Sequence, residues 1–452
     1  MYRFILFFSF LASIAPPLLA VDRPPNFVVI LADDLSAKEL GCYGNTAYKT
    51  PNLDALAKEG MRFRTCYATP LCSPTRVELM TGRYGFRTGW YNLIGRNYAP
   101  PEGSPQFDIG EAQITFADLL RAHGYATGLA GKWQLSGKMP TLINDCGFDD
   151  YCMWAYDENL PPGVKHTGAY QNGTGKNTSR YWNPCIMVNG EYRPTKSDDY
   201  GPDLFNDWTI DFIKRHKDQP FVAYYTSVLT HNPHEPTPDP AHPGKKTPAG
   251  FKSNIEYLDY LVGKLVKLID EMGLRESTII FFVGDNGTGG DGKGETTEAG
   301  VHVPLIVRCP SIVKAGVVSD ALVDCSDFLP TLIDFAGAKL PNDREIDGQS
   351  FAPVLRGERE TVRDWIFSYL KTERLLRDSR YLMEGDGRLY DCGNYRNGEK
   401  YKDVTDSDDP NAAAAREKFK SILEKLPAPA DQEERINRKL RRRMQQKAAQ
   451  PA

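Results

Sequence analysis

A cysteine stands directly before Ser-Pro-Thr-Arg in the stretch LCSPTRVELMTGR, residues 71–83. Ser73 is of a type that caps helices and Pro74 suits a first turn, so the stretch predicts a helix that begins beside Cys72. At that end the helix dipole favours an anionic sulfur or oxygen, and Arg76 lies one turn further on. Cys72 is therefore a candidate nucleophile, although the sequence identifies no histidine beside it as the general base of a thiol protease.

A second group of chemically capable residues follows four apolar runs. The group consists of Asp33 and Asp34 after 26–32, Lys132 after 126–131, His231 after 221–230, and Asp285 with Asn286 after 278–284. Because ligands of an open parallel sheet bind beyond the carboxyl ends of its strands, we expect these side chains to converge. Carboxylates and a carboxamide are ligands suited to Ca²⁺ or Mg²⁺. An isolated pair of this kind is more often a helix cap or a turn than a metal site, but the occurrence of four such residues at equivalent strand ends favours a metal site.

The elements that must position these residues alternate between strands and helices. Continuous apolar runs predict buried parallel strands at 26–32, 126–130, 221–227, 278–283 and 303–307. Amphipathic patterns predict helices at 52–60, 114–124, 204–216, 254–272 and 328–337. This alternation predicts an α/β fold with a doubly wound, mostly parallel sheet flanked by helices. Two long polar stretches, 84–110 and 153–202, are candidate walls of a substrate pocket.

The pattern changes near residues 341–360, where alternating helices and strands give way to short strands. Strand patterns at 366–370, 374–378, 380–385 and 388–392, then a helix at 412–426, predict a small α+β subdomain with an antiparallel sheet. We therefore expect a signal peptide at 1–20, a catalytic domain at 21–345, a C-terminal subdomain at 346–428 and a polar basic tail at 429–452.

Composition narrows the class of protein. The 452 residues are 41% hydrophobic and 25% charged, as in ordinary globular proteins, and a net charge of −4 gives no basic footprint for nucleic acid. Residues 1–20 combine an early arginine, an apolar stretch and small residues, so we expect an exported protein, periplasmic or secreted, without a membrane span. The nine cysteines could pair in an oxidising compartment, but their connectivity stays open.

With these residues assembled, the chain resembles the formylglycine-dependent sulfatases, the type I, arylsulfatase-like members of the alkaline phosphatase superfamily. The stretch CSPTRVELMTGR matches that family's Cys-x-Pro-Ser/Thr-Arg pattern with its trailing Thr-Gly-Arg. The stretch ILADDLSAKELGCYGN resembles the family's opening strand, VGDNGTGG its second metal-binding strand end, and GKGETTEAGVHVPLIV its Lys-Gly-x-Thr segment. The stretch RLYDC and the helix after it resemble the C-terminal subdomain, so the resemblance covers nearly all of the mature chain.

The resemblance implies a role for each of these residues. Cys72 would be oxidised after translation to formylglycine, whose hydrate is the nucleophile. A divalent cation, Ca²⁺ with Mg²⁺ as the alternative, would be held by Asp33, Asp34, Asp285, Asn286 and an oxygen of the modified Cys72. Arg76 would steady the hydrate, while Lys132 and Lys293 would pair with sulfate oxygens. His231 would act at the leaving oxygen as an acid or an orienting donor.

Three further residues are candidates for substrate binding. Many sulfatases carry a histidine two residues after the first lysine, where this chain has Gln134. Glutamine can hydrogen-bond a hydrate hydroxyl but cannot donate a proton in the imidazole range. His302 stands where many relatives have arginine, and a substrate contact and a packing role are both open. His231 has the family's spacing, which leaves His234 as a candidate for the pocket wall or for a loop position.

These observations predict a sulfuric ester hydrolase that cleaves a sulfate ester on a carbohydrate. The expected partners are a sulfated saccharide or other sulfate ester and a maturation enzyme that generates formylglycine, with no nucleic acid. One alternative is a phosphonate or phosphodiester hydrolase that uses the same site. Another is a catalytically inactive carbohydrate-binding relative, for which Gln134 is the only sequence support.

Overall fold

The first apolar run of the chain forms strand β1 (Asn26–Ala32), in which every residue is buried. It lies in the middle of a ten-stranded sheet with the order β10-β2-β9-β8-β1-β7-β3-β4-β5-β6. The other strands are β2 (Met61–Tyr67), β3 (Ala126–Gly131), β4 (Asp150–Trp154), β5 (Ile186–Val188), β6 (Glu191–Arg193), β7 (Phe221–Thr226), β8 (Thr278–Gly284), β9 (Leu305–Arg308) and β10 (Val317–Asp324).

The computed structural model describes residues 23–93, 108–137, 140–156, 159–164, 178–395 and 398–426. The predicted signal peptide and basic tail lie outside these residues, as does much of the polar stretch 84–110. No helix within the described ranges has the length and apolar character needed to cross a bilayer. All nine cysteines fall within those ranges, and none of them is in a disulfide.

Most strands at the centre of the sheet run parallel. β1 pairs in parallel with β7 and β8, and β3 pairs in parallel with β7 and β4. β9, however, pairs antiparallel with both β8 and β2, and β5 and β6 also run antiparallel to their neighbours. The prediction of a parallel strand at 303–307 is therefore wrong in direction, because an apolar run reports burial and carries no sign of strand direction.

Helices cover both faces of this sheet. They are α1 (Pro51–Glu59), α2 (Cys72–Thr81), α3 (Gly85–Thr88), α4 (Ile109–Ala112), α5 (Phe116–Ala122), α6 (Gly201–His216), α7 (Phe251–Glu271), α8 (Glu298–Val301) and α9 (Phe328–Ala336). Alternate side chains of β1 point to opposite faces. Phe27 and Val29 pack in a core with α2, α5 and α9, whereas Val28 and Ile30 pack in a second core with α1, α6 and α7. The predicted doubly wound, mostly parallel α/β architecture is confirmed.

A separate antiparallel sheet follows the short helix α10 (Ala352–Leu355). Its strands are β11 (Ile366–Leu370), β12 (Glu373–Arg377), β13 (Tyr381–Met383), β14 (Leu389–Asp391) and β15 (Lys402–Asp403), and helix α11 (Pro410–Lys425) comes after them. Phe351 and Leu355 belong to the core of the large sheet, whereas Phe367 and Phe419 form a core of the small one. The predicted small antiparallel sheet is confirmed, and the exact domain boundaries stay a prediction.

A buried charge pair joins the small sheet to the large one. Glu298 on α8 lies 3.4 Å from Arg377 on β12 and 3.1 Å from Nδ1 of His302. Its carboxylate also accepts hydrogen bonds from the hydroxyls of Tyr67 on β2 and of Tyr401. Because removing one partner of a buried pair leaves an uncompensated charge, this cluster should resist substitution strongly.

Glu298→Gln is expected to remove a stabilisation that depends on pH. Burial alone would raise the pKa of Glu298, but Arg377 and His302 outweigh it and lower the pKa from 4.5 to about 2. The ionised carboxylate therefore stabilises the fold above the unfolded pKa, by about 3 kcal/mol, and this contribution is lost as the pH falls towards 2. Urea unfolding of wild type and variant at pH 6 and pH 3 should show a difference that shrinks to about half at pH 3. An equal difference at both pH values would contradict the assignment.

Candidate active site

Helix α2 begins at Cys72 itself, with Leu71 in the N-cap position and no side-chain cap. The prediction that Ser73 caps this helix is wrong, because the helix begins one residue before it. The turn ahead of the helix is instead held by Thr75, whose Oγ1 accepts a hydrogen bond of 3.0 Å from the Thr69 amide. All residues of α2 are buried, and Cys72 is only 3% exposed. The candidate nucleophile thus lies inside the fold at the positive end of a helix.

Arg76 connects α2 to the ends of two strands. Its Nη2 donates to Oδ2 of Asp285 at 2.7 Å, and its Nη1 donates to the carbonyl oxygen of Lys132 at 2.8 Å. Asp285 follows β8 and Lys132 follows β3, so one buried guanidinium fixes the distance between two parts of the site. The structure therefore brings Arg76, one turn after Cys72, to the carboxylates; a role in steadying the nucleophile stays a prediction.

The two aspartates after β1 each receive a lysine. Nζ of Lys132 lies 2.7 and 2.8 Å from the carboxylate oxygens of Asp33. Nζ of Lys293 lies 2.6 and 2.7 Å from those of Asp34. Asn286 completes the arrangement, since its Nδ2 donates to Oδ1 of Asp34 at 2.9 Å. Side chains from three strand ends and one loop thus meet at the carboxyl edge of the sheet, as the sequence predicted.

The donor atoms at this edge fit a hard divalent cation. Ligand atoms of Asp33, Asp285 and Cys72 all lie within 4.8 Å of one another, and so do those of Asp33, Asp34 and His231. Oδ1 of Asn286 is buried and has no hydrogen-bond partner within the described part of the chain. A buried carbonyl oxygen without a donor is costly, and a cation would satisfy it. The residues present therefore fit the group that the sequence implied, and their oxygen chemistry suits both Ca²⁺ and Mg²⁺.

The pKa values of Asp33 and Asp285, the two aspartates closest to Arg76, are shifted in opposite directions. Burial opposes ionisation of Asp33, but Lys132, His231 and Arg76 together outweigh it and hold its pKa well below the usual range. Burial and then the charge of Asp33 raise the pKa of Asp285 to about 7. These carboxylates repel each other in a fully buried site, so added positive charge would stabilise the ionised form of both.

Gln134 contacts the candidate nucleophile directly. Sγ of Cys72 donates to Oε1 of Gln134 at 2.9 Å. Gln134 is 8% exposed and adopts a left-handed backbone conformation with φ of 61°. The structure therefore brings Gln134 to the nucleophile, where it can orient a hydroxyl group but cannot accept a proton.

His231 lies at the mouth of the site with 18% of its side chain exposed. Nδ1 lies 2.7 Å from the carbonyl oxygen of Asn232, so this nitrogen carries the proton in the neutral ring. Nε2 lies 3.8 Å from Oδ2 of Asp34. Burial, followed by the charge of Arg180, lowers the pKa of His231 to about 3. The free imidazole is therefore neutral, with Nε2 as a proton acceptor.

The other two candidate histidines, His302 and His234, contact different groups. His302 is 5% exposed, and its Nε2 and Nδ1 lie 2.9 Å from the Arg64 carbonyl oxygen and 3.1 Å from Glu298. His234 has Nε2 at 3.2 Å from the Thr230 carbonyl oxygen and its ring against Phe251. The contacts of His302 join it to the buried pair between the two sheets. A substrate contact for either histidine stays a prediction.

Sequence reasoning missed one residue of this site, Arg180. It lies in the polar stretch 153–202, between β4 and β5, and its Nη1 is 3.8 Å from Oδ2 of Asp33. Its guanidinium carbon lies 4.0 Å from the centroid of the Trp154 ring. The only available signal was a cation within a segment predicted to form a pocket wall, because loop conformation cannot be read from local periodicity.

The chain is similar to known sulfatases. The sequence matches the model of the sulfatase family over residues 25–338. Human arylsulfatase A is 35% identical, with 78% of this chain and 71% of that protein covered. N-acetylgalactosamine-6-sulfatase of Sus scrofa is 32% identical, with 77% and 69% covered. The crystal structure of Ps i-CgsB in complex with k-i-k-neocarrahexaose has a TM-score of 0.70 and 26% identity, covering 88% of this chain and 92% of that one.

The family match spans both carboxylate-bearing strand ends, the cysteine helix and the two lysines, all of which meet in one buried site. This chain belongs to the sulfatase family and is a type I sulfatase of the alkaline phosphatase superfamily.

Proposed function

We propose that this sulfatase hydrolyses a sulfate ester of a carbohydrate and uses a formylglycine formed from Cys72 as its nucleophile. The observation that carries the proposal is the enclosure of Sγ of Cys72 by Asp33 and Asp285, whose ligand atoms lie within 4.8 Å of it and of each other. A sulfur nucleophile gains nothing from two carboxylates, whereas an oxygen that shares a cation with them does. The carbohydrate is supported by the names of N-acetylgalactosamine-6-sulfatase and of the carrahexaose complex.

Asp33, Asp34, Asp285 and Asn286 would hold the cation, with Ca²⁺ preferred and Mg²⁺ as the alternative. Bound there, the cation would act as a Lewis acid towards the sulfate and lower the pKa of a hydrate hydroxyl. Asp33 and Asp285 already lie within reach of the cysteine side chain. Asn286 donates to Asp34 through its amide nitrogen, and its buried carbonyl oxygen, which has no hydrogen-bond partner within the described residues, would be a further oxygen ligand.

The cationic side chains would bind the sulfate and stabilise its charge. Lys132 and Lys293 come from opposite sides of the aspartate pair, which gives two fixed positive charges for the sulfate oxygens. Arg76 holds Asp285 at 2.7 Å, so it steadies the carboxylate that faces the nucleophile. These donors are already buried and oriented, so little reorganisation is needed when charge develops on the sulfate.

Gln134 would orient the nucleophile, and His231 would donate a proton to the leaving oxygen. Gln134 orients a hydroxyl of the hydrate through the contact that the Cys72 thiol makes at 2.9 Å. His231 donates to the leaving oxygen only after Nε2 has taken up a proton, because Nδ1 carries the single proton of the neutral ring. One hydroxyl of the hydrate, after losing its proton, would attack sulfur, so that a bond from that oxygen to sulfur forms while the bond from sulfur to the sugar oxygen breaks. The second hydroxyl would then lose its proton and form the aldehyde C=O as sulfate leaves with the first oxygen.

Mass spectrometry of the peptide that carries Cys72 tests the modification. We expect this peptide, from enzyme that releases sulfate, to have the mass that results from conversion of CH₂SH to CHO. The peptide that carries Cys325, a buried cysteine near the same helix, is the internal control and should keep its thiol mass. Sulfate release by protein whose Cys72 peptide is wholly unmodified would contradict the proposal.

A screen of defined sulfated saccharides, with 4-nitrophenyl sulfate as a small surrogate, tests the substrate class. We expect turnover of at least one sulfated saccharide with a kcat/KM above that for the aryl ester, because contacts remote from the reacting group contribute binding energy to the transition state. Preference for a matched phosphate ester over the sulfate ester would favour the phosphonate or phosphodiester hydrolase instead.

A further inference from the structure

The backbone on both sides of Arg180 is anchored by hydrogen bonds and close packing. The Trp154 indole N–H donates to Oγ1 of Thr178 at 2.8 Å, and the Gly201 amide donates to the Tyr181 carbonyl oxygen at 2.7 Å. Gly201 approaches so closely that an added Cβ would lie 2.1 Å from the Arg180 carbonyl oxygen. The residues on both sides of Arg180 are thus fixed to β4 and to the start of α6, and the side chain has a defined origin beside the site.

The guanidinium of Arg180 is buried without an anion of its own. The residue is 5% exposed, and its Nη1 is enclosed with no hydrogen-bond partner among the residues that the structure describes. The 3.8 Å from Nη1 to Oδ2 of Asp33 is too long for a hydrogen bond. Its face is covered by Trp154, a contact that holds the planar group in one orientation. A buried cation in this state is costly, and an anionic ligand would satisfy it.

The other cations of the site are already paired. Lys132, Lys293 and Arg76 contact Asp33, Asp34 and Asp285 at 2.7, 2.6 and 2.7 Å respectively. Arg180 is therefore a fourth positive group opposite three carboxylates, and a divalent cation would increase the surplus. Glu235 is a further carboxylate whose charge acts on Arg180, but no ion pair joins the two within the described residues. An anionic molecule that enters the site would therefore give the guanidinium a direct partner.

We propose that Arg180 is an additional catalytic residue that binds oxygens of the reacting sulfate group. The inference rests on the proposed function, since it assigns a further contact of the same site. Arg180 and Lys132 converge on the same oxygen, Oδ2 of Asp33, at 3.8 and 2.8 Å. Lys132 is expected to contact a sulfate oxygen beside Asp33. Arg180 reaches the same position from the polar stretch 153–202. A planar guanidinium offers two parallel N–H donors to two oxygens of one tetrahedral anion, which a lysine cannot do.

Two substitutions of Arg180 test this assignment. Arg180→Met removes the charge at similar length, Arg180→Lys keeps the charge and removes the fork, and Arg193→Met on exposed strand β6 is the matched control. With 4-nitrophenyl sulfate we expect kcat/KM to fall about 100-fold for Met and about 10-fold for Lys. The control should match wild type. Thermal unfolding of Arg180→Met should change little, because the contact with Asp33 that it removes is long, at 3.8 Å, and includes no hydrogen bond.

Calorimetric titration with inorganic sulfate provides a readout that requires no turnover. It uses Cys72→Ala protein, with and without Arg180→Met, in the presence of Ca²⁺. We expect the dissociation constant of sulfate to rise about 10-fold or more when Arg180 is replaced. This measurement stands even if no sulfate ester is hydrolysed, so failure of the inference and failure of the proposed function remain distinct.

Three results would overturn the inference. Wild-type sulfate affinity and turnover in Arg180→Met would show that the guanidinium contacts no substrate. A loss confined to saccharides with a second anionic group, with 4-nitrophenyl sulfate unaffected, would assign Arg180 to that second group. A lowered unfolding temperature together with unchanged sulfate affinity would show that Arg180 only stabilises the fold.

Discussion

Replacing Cys72 with alanine is expected to lower kcat for sulfate ester hydrolysis by roughly four orders of magnitude or more, as loss of a covalent nucleophile does elsewhere. The physical reason is specific to this site. Alanine leaves Asp33, Asp285 and Gln134 around an empty position, with no oxygen to attack sulfur. The rate of sulfate release under saturating substrate measures the effect.

Cys42→Ala is the matched control, because it removes a thiol outside the active site. Cys42 is half-buried outside the site, and the pKa of its thiol is raised to about 12, chiefly by burial, so it is not a reactive thiolate. Cys42→Ala should keep the wild-type kcat. A Cys72→Ala protein that still turns over sulfate esters would remove the basis of the proposed mechanism.

Removal of divalent cations is expected to inactivate the enzyme and also to lower its unfolding temperature. Without a cation, Asp33 and Asp285 face each other in a buried site, and the pKa of Asp285 is raised by burial and by Asp33. Calcium at 100 times its dissociation constant would add about 2.7 kcal/mol to the free energy of unfolding, provided that it binds only the folded chain. Thermal unfolding of chelated protein during titration with Ca²⁺ or Mg²⁺ measures this without any turnover.

Asp33→Asn should abolish most of that calcium-dependent stabilisation. Asparagine keeps an oxygen ligand but removes the charge that Lys132 and the cation share. Asp207→Asn is the control, because Asp207 is exposed and pairs with Lys264 on the far surface of α6 and α7. An unchanged calcium response in Asp33→Asn would place the cation elsewhere in the molecule.

The sequence predicted the site best where a strand was uniformly apolar. The apolar runs that form β1 and β8 each end at an abrupt change to polar residues, which locates the carboxyl end of the strand. Asp33 and Asp285 could therefore be assigned to one edge of a parallel sheet. β2 was missed because Arg62 and Arg64 interrupt its buried residues, so the segment lacks a continuous apolar run. Its partners in the sheet, β9 and β10, are far away in the sequence. The antiparallel direction of β9 was likewise invisible, since direction depends on how the chain returns and not on local composition.

Arg180 and Ser73 show two different limits of sequence reasoning. Arg180 reaches Asp33 only because a long polar stretch folds against β4 and α6, and no periodic pattern records such a path. Ser73 has the right residue type for a cap but occupies the second helical position, because Thr75 fixes the preceding turn through its hydroxyl. Residue type alone therefore placed neither side chain, because the position of each depends on contacts with other parts of the chain.

The burial of Cys72 sets a constraint on the order of events during biosynthesis. The side chain is 3% exposed, and every residue of α2 is buried. On the proposed conversion of Cys72 to formylglycine, an enzyme that oxidises this residue would have to reach it before the chain folds, so folding and modification would compete for each new molecule. Rapid folding would produce a stable but inactive fraction that later oxidation cannot rescue. Slower synthesis or a higher level of the maturation enzyme should raise the active fraction without changing the yield of folded protein.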